Sequence, residues 1–167
     1  MAVIKYNNVG LTAISACVPP QIFSNYDLGN LLPKETVGKM IDSIGIKEKR
    51  IVESDVCTSD LCYEAAKKLM EDNDIDPASI DMLLFLTLTP DYIMPPTSSI
   101  LQHRLGLPSE TACLDMSLAC SGFVYALSTG FAYASLQGID KVLVLVGETM
   151  SKLANPRDRV NFPLYGD

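Results

Sequence analysis

Two stretches, Ile80 to Leu88 (IDMLLFLTL) and Lys141 to Gly147 (KVLVLVG), are apolar almost without a break, and they constrain the fold most. A strand with one wet face alternates apolar and polar residues. A near-continuous apolar run marks a strand covered on both faces, as in the parallel sheets of α/β proteins. Helical signals lie between these runs. Thr58 or Ser59 can cap a helix to about Asp72, on which Leu61, Ala65 and Leu69 recur with Cys62, Ala66 and Met70 beside them. That is one broad apolar face, and Cys62 on it reads as a packing residue. Asp60 at its start and Lys67 and Lys68 near its end suit the helix dipole. After a Pro-rich loop, Thr89 to Pro96, Thr97 can cap a second helix to Leu105, with Gly106 as its C′ residue. Thr111 to Met116 is the next short strand, and His103 reads as a surface residue. Repeated strand–helix–strand units imply an α/β fold: a mainly parallel sheet with helices on both faces.

The flanking regions are read more simply. Val9 to Val18, ending at Pro19-Pro20, has the composition of a buried strand. Ser24 and Asp27 form a shortened capping box for a helix over Tyr26–Leu32, which Pro33 stops. Lys39 to Ile44 makes a further helical turn before Gly45, and Lys47 to Arg50 (KEKR) reads as a solvated basic loop. Ser151 to Asp167, with Pro156 and Pro163, is irregular.

A chain of 167 residues can bury one real core, so a single domain over 1–167 is expected. With 13 Lys plus Arg against 20 Asp plus Glu, it lacks the basic face of a nucleic-acid binder. No apolar run reaches the length of about 18 residues that a membrane helix needs. Residues 1–10 lack the apolar core of a signal peptide. The five cysteines are an odd number for a disulfide framework, and there is no CxxC pair and one histidine. Reduced thiols in a cytoplasm are expected, with no metal site.

Cys120 follows a strand by a short connection and opens a long helix, Cys120 to Gln137, that is apolar nearly all round. The unpaired N–H groups and dipole at a helix start favour thiolate, the reactive form, and Gly122 leaves room for a substrate. On residue chemistry alone a packing role is the commoner one for cysteine. The helix itself must be covered by something, and in a chain this short that implies a second domain or subunit.

The segment Asp115-Met116-Ser117-Leu118-Ala119-Cys120-Ser121-Gly122-Phe123-Val124-Tyr125-Ala126-Leu127 resembles the active-site segment of β-ketoacyl-acyl-carrier-protein synthase III, in the thiolase superfamily. Gly45 to Arg50, Pro95, Leu105-Gly106-Leu107, Asp158-Arg159 and Tyr165-Gly166-Asp167 match further elements of that family in order. The resemblance implies the N-terminal half of a thiolase-like fold, with the nucleophile helix buried between halves. It implies an acyltransferase that loads an acyl group from acyl-CoA onto Cys120 and condenses it with malonyl-acyl-carrier protein, losing CO₂, to initiate fatty acid synthesis. The backbone N–H of Cys120 would be one oxyanion donor. No cofactor is implied, the partner is acyl carrier protein, and the assembly is a homodimer.

The resemblance also assigns two binding positions. Arg159 matches an Arg that stacks on the CoA adenine; read alone it is a surface loop charge. The Trp that completes that stack falls on Lys39, and the chain has no Trp. Met94 stands where the family often has a Phe that closes the partner subunit's acyl pocket; read alone it is dimer packing. The family's catalytic His and Asn match nothing here, and His103 is not at the matching place. The chain therefore reads as an N-terminal fragment that does not complete the condensation alone. A paralogous condensing enzyme of a secondary-metabolite or surface-polysaccharide pathway, a non-catalytic thiolase-like module and a flavodoxin-like binding domain are the alternatives.

Overall fold

Three parallel strands form the central sheet: β3 (Met82–Leu86) lies between β4 (Ala112–Met116) and β5 (Val142–Val146). Met82 registers with Ala112 on one side and Val142 on the other. This arrangement comes from a computed structural model that describes residues 3–30 and 32–167. The sheet belongs to the first of two units, Met1–Cys17 with Thr58–Gly147; the second is Val18–Cys57 with Glu148–Asp167.

In the first unit the middle strand is fully covered, with Leu83, Leu84 and Phe85 at 0% exposure, as the unbroken apolar run predicts. Strand alternation sends Leu83, Phe85, Leu143 and Leu145 to one face. There they pack with Cys62, Ala66 and Met70 of α2 (Thr58–Asp72) and Leu101 of α3 (Thr97–Arg104). The other face carries α4 (Gly122–Ala134). A Cβ on Gly130 would lie 3.1 Å from Val144 Cγ2 and 3.7 Å from Leu84 Cδ1, so the helix rides close on the sheet. Helices thus lie on both faces of a parallel sheet, as expected.

Three readings need correction here. Residues 9–18 form no strand; residues 8–15 line a cavity of about 710 Å³ that β5 and α4 also border. β5 is not buried on both faces: Val142 and Val144 are half-buried and Val146 is 41% exposed, and among the described residues it pairs only with β3. α4 starts at Gly122 rather than Cys120, and it is not enclosed within this chain. Its buried residues are the small ones, Gly122, Ala126 and Gly130, at four-residue spacing. The bulky Phe123, Val124 and Tyr125 therefore point outward and are exposed. This outward apolar face is what the need for a covering layer anticipated.

The second unit pairs β1 (Ile22–Ser24) antiparallel with β2 (Glu48–Arg50), and packs α1 (Lys34–Ile44) through Val37 and Ile41 against Leu28 and Phe162. Pro33 precedes α1, and Gly45 ends it in the left-handed region at φ 76°, where a Cβ would be strained. α1 thus starts five residues before the expected turn at Lys39. The expected helix over Tyr26–Leu32 is a 3₁₀ turn over Asn25–Asn30, with the Tyr26 N–H donating to Ser24 Oγ at 3.3 Å; Leu31 lies outside the described residues. The irregular segment from Ser151 onward carries the 3₁₀ turn Phe162–Leu164. Asp167 ties that segment down, accepting from the backbone N–H of Val52 at 2.8 Å and of Ser151 at 2.7 Å.

The basic stretch 47–50 is not a solvated loop throughout: Lys47 is exposed in a bend, but Glu48–Arg50 form β2. Alternation along β2 turns Lys49 inward, to 8% exposure. Its Nζ donates to the Phe162 carbonyl and sits 3.6 Å from the centroid of the Phe162 ring. Burial pushes the Lys49 ammonium down to about 8 from 10.5, with Asp167 pulling the other way. Between those two values the unfolded chain holds a proton that the folded chain has released, so stability rises with pH from about 8 to 10.5. Below about 8 the cost of the buried charge is fully present. Lys49→Met is expected to remove this rise. Thermal midpoints of both proteins from pH 7 to 11 check it, and parallel curves would refute the assignment.

Candidate active site

β4 delivers its C-terminal end into the turn Ser117–Cys120, and α4 begins two residues further on. The turn closes where the Gly122 N–H donates to the Ala119 carbonyl at 2.7 Å. No side chain caps α4 at Ser121, so the positive end of the helix dipole is unopposed beside Cys120. A Cβ at Gly122 would lie 2.8 Å from Leu86 Cδ2, so a larger residue there would have to push the Leu86 side chain aside. Cys120 is exposed.

The other thiols are placed differently. Cys62 is 4% exposed and packs in the core, as read. Burial, and then Asp115, push the Cys113 thiol above its ordinary value; burial, and then Glu64, do the same to Cys17. Both shifts hold the neutral, unreactive form. No disulfide engages Cys17, Cys113 or Cys120. Among the described residues, no group of three or more His, Cys, Asp or Glu side chains is placed to hold a metal ion.

The loop 87–96 leaves the end of β3 beside the nucleophile turn. The Thr87 N–H donates to the Met116 carbonyl at 3.1 Å. Further along, Asp91 accepts from the Ser59 N–H at 3.2 Å and from its hydroxyl, which caps α2 from outside. Arg104 adds a third side, donating to Ser59 Oγ at 2.9 Å and Asp60 Oδ1 at 2.8 Å while lying over the Tyr63 ring. Beyond Asp91 come Tyr92, Ile93 and Met94 at 58%, 98% and 84% exposure, an apolar tip on a pinned base. At the far end of the loop, Asp115 of β4 accepts from the Thr97 N–H at 2.8 Å and the Ser98 N–H at 2.9 Å.

Cys120 and Met94 therefore belong to the first unit, linked through Asp115, and Arg159 belongs to the second, exposed on the irregular segment. Next to Arg159, the Asp158 carboxyl is pushed down by hydrogen bonds from the Asn161 side chain and then the backbone N–H of Asn161. Lys39 is exposed on α1 and donates to Glu35 at 2.7 Å. His103 is exposed on α3, as read. The large cavity bordered by residues 8–15 and β5 is lined mostly by apolar residues, and Cys120 does not line it. The sequence reading missed Asp91, Asp115 and Arg104. One signal was available: Pro96 precedes α3 and has no capping side chain, so the helix start had to be satisfied from elsewhere.

A sequence description of the family 3-oxoacyl-[acyl-carrier-protein] synthase III matches residues 114–167, the stretch that begins on β4 and contains Cys120. The chain resembles one half of a synthase III. A β-ketoacyl-[acyl-carrier-protein] synthase III from Desulfitobacterium hafniense is 33% identical over 96% of this chain and 48% of its own length. One from Caldanaerobacter subterraneus is 36% identical over 95% of this chain and 47% of its own. The crystal structure of a 3-oxoacyl-(acyl-carrier protein) synthase from Burkholderia xenovorans superposes with TM-score 0.90, at 32% identity, over 93% of this chain and 45% of that one. The chain spans about half the length of the curated relatives it matches. The α/β, thiolase-like fold expected from the sequence is borne out by these structural matches.

Proposed function

We propose that the chain is the nucleophile-bearing half of a β-ketoacyl-acyl-carrier-protein synthase III that starts fatty acid synthesis. The Cys120 thiolate attacks the thioester carbonyl of an acyl-CoA; the new C–S bond leaves the acyl group on Cys120 and CoA departs as its thiolate. Malonyl-acyl-carrier protein then loses CO₂, and its carbanion attacks the acyl carbonyl, releasing Cys120 and the 3-oxoacyl product. The observation that carries this reading is the exposed Cys120 at the uncapped start of α4, in a chain similar to synthases III over nearly its whole length. An oxyanion formed at the attacked carbonyl is stabilised by backbone N–H donors there, that of Cys120 among them.

Arg159 is the candidate contact for the CoA adenine and Met94 the candidate end of the acyl pocket, reached across a homodimer interface. Acyl carrier protein is the partner, the enzyme acts in the cytoplasm, and the reading gives no role to a cofactor, metal, nucleic acid or membrane. Among the described residues no helix is long and apolar enough to cross a membrane. The 167 residues alone do not complete the condensation in this reading, because His103 stands on the surface of α3 and no other histidine is present. Lys39, exposed where an adenine-stacking Trp would stand, favours a second reading in which a paralogous condensing enzyme takes its acyl group from another carrier.

Alkylation separates the enzyme from a non-catalytic module. Iodoacetamide is expected to modify Cys120 at least about tenfold faster than Cys17 or Cys113, whose thiols are held neutral. Acyl-CoA is expected to protect Cys120 selectively. Equal rates at the three thiols, read by peptide mapping, would contradict the proposal.

A further inference from the structure

The loop that displays Met94 is held to its core by two carboxylates, one on each side. Asp91, three residues before Met94, grips the start of α2 through Ser59. Three residues after it, Thr97 opens α3, and the first two N–H groups of that helix are held by Asp115 at 2.8 and 2.9 Å. Pro96 cannot supply a cap of its own. Thr97 and Ser98 are both at 0% exposure, so no water replaces the carboxylate there. Asp115 is in turn the penultimate residue of β4, five before Cys120, on the strand that sets the nucleophile turn. One carboxylate thus fixes the nucleophile strand and the Met94 loop to each other through charge-assisted bonds.

We propose that Asp115 is a positioning residue: by clamping the start of α3 to the nucleophile strand it fixes where the Met94 loop stands on its own core, and with it how far Met94 reaches across the homodimer interface into the partner subunit's acyl pocket, and so sets how sharply acyl-chain length is discriminated. This rests on the reading of Cys120 as an acyl acceptor and of Met94 as the end of the partner subunit's acyl pocket. Asp91 serves the same loop from its other end. Neither carboxylate touches the reacting atoms in this scheme, and the loading of the shortest acyl groups does not depend on them.

The test uses the full chain and a series of saturated acyl-CoAs from two to sixteen carbons, with the adduct at Cys120 read by intact mass against time. Asp115→Asn keeps the shape of the side chain but leaves one oxygen where two N–H groups need an acceptor. It is expected to lower the rate ratio between the preferred acyl group and one two carbons longer by about fivefold or more, with acetyl loading within about threefold of wild type. Amide exchange at Thr97 and Ser98 is expected to speed up by about tenfold or more. Asp91→Asn, which leaves α3 capped, is expected to blunt the same ratio and is the second variant should Asp115→Asn fail to fold. Asp76→Ala removes a cap remote from the loop, on Ala78, and is expected to leave the ratio unchanged. An unchanged ratio in folded Asp115→Asn, or in Asp91→Asn if that alone folds, overturns the inference while leaving Cys120 as acyl acceptor. Absence of any adduct on the wild-type protein with acyl-CoA and acyl-carrier-protein donors alike overturns the acyl-transfer reading itself, and this inference with it.

Discussion

Phe85→Ala is expected to destabilise the first unit by about 3–5 kcal/mol, the usual cost of removing a large side chain from a core that cannot collapse. Phe85 is at 0% exposure on the middle strand of three, flanked by β4 and β5 and covered by α2 and α3. The backbone on each side is fixed by parallel ladders, so neighbours cannot move in to fill the space. Most of the loss is therefore cavity, added to the lost transfer free energy. Leu114→Ala, on the outer strand at 38% exposure, is expected to cost about 1 kcal/mol or less. Urea unfolding of the two variants beside wild type measures the difference. A cost below about 1 kcal/mol for Phe85→Ala would mean that the centre of the sheet is not packed as described.

What could be read from the sequence divides along physical lines. β3 was legible because a strand buried on both faces writes its environment into every residue. α2 was legible because its apolar face repeats at helical spacing, and the structure buries Cys62, Ala66 and Met70 of that face. Lys49 was misread because charge usually means solvent, whereas a strand only three residues long, Glu48–Arg50, has no pattern to show which way its middle residue turns. α4 was half legible: its apolarity demanded cover on all sides. The sheet takes the stripe of Gly122, Ala126 and Gly130, Tyr6 packs on Phe131, and Phe123, Val124 and Tyr125 stay exposed. The strand expected over 9–18 failed for a related reason, since composition gives strand propensity but not a neighbour to pair with.

The candidate site follows the same division. Cys120, followed by Ser121 and Gly122, stood out because strand, turn and glycine-led helix leave a local signature, and the structure exposes its thiol at the start of α4. Asp91 and Asp115 left none. Their work is done on Ser59 and on Thr97 and Ser98, partners 32, 18 and 17 residues away, and only the folded sheet brings them together. Arg159 and Met94 rest on resemblance at single positions; each is exposed, so neither has packing that would declare its role.

The central claim is that Cys120 carries the acyl group, and Cys120→Ala is expected to abolish it. The thiol is the only atom in this scheme that bonds to the substrate, so its loss leaves no partial route, whereas loss of a positioning contact leaves a slower one. Removing one sulfur atom from an exposed turn should leave the unfolding midpoint nearly unchanged. The most direct measurement is intact-protein mass after incubation with acyl-CoAs of increasing length, on wild type and Cys120→Ala. The account predicts a mass increase of one acyl group on wild type and none on the variant. An adduct that survives in Cys120→Ala, or its absence from the full-length wild-type protein with both acyl-CoA and acyl-carrier-protein donors, would contradict it.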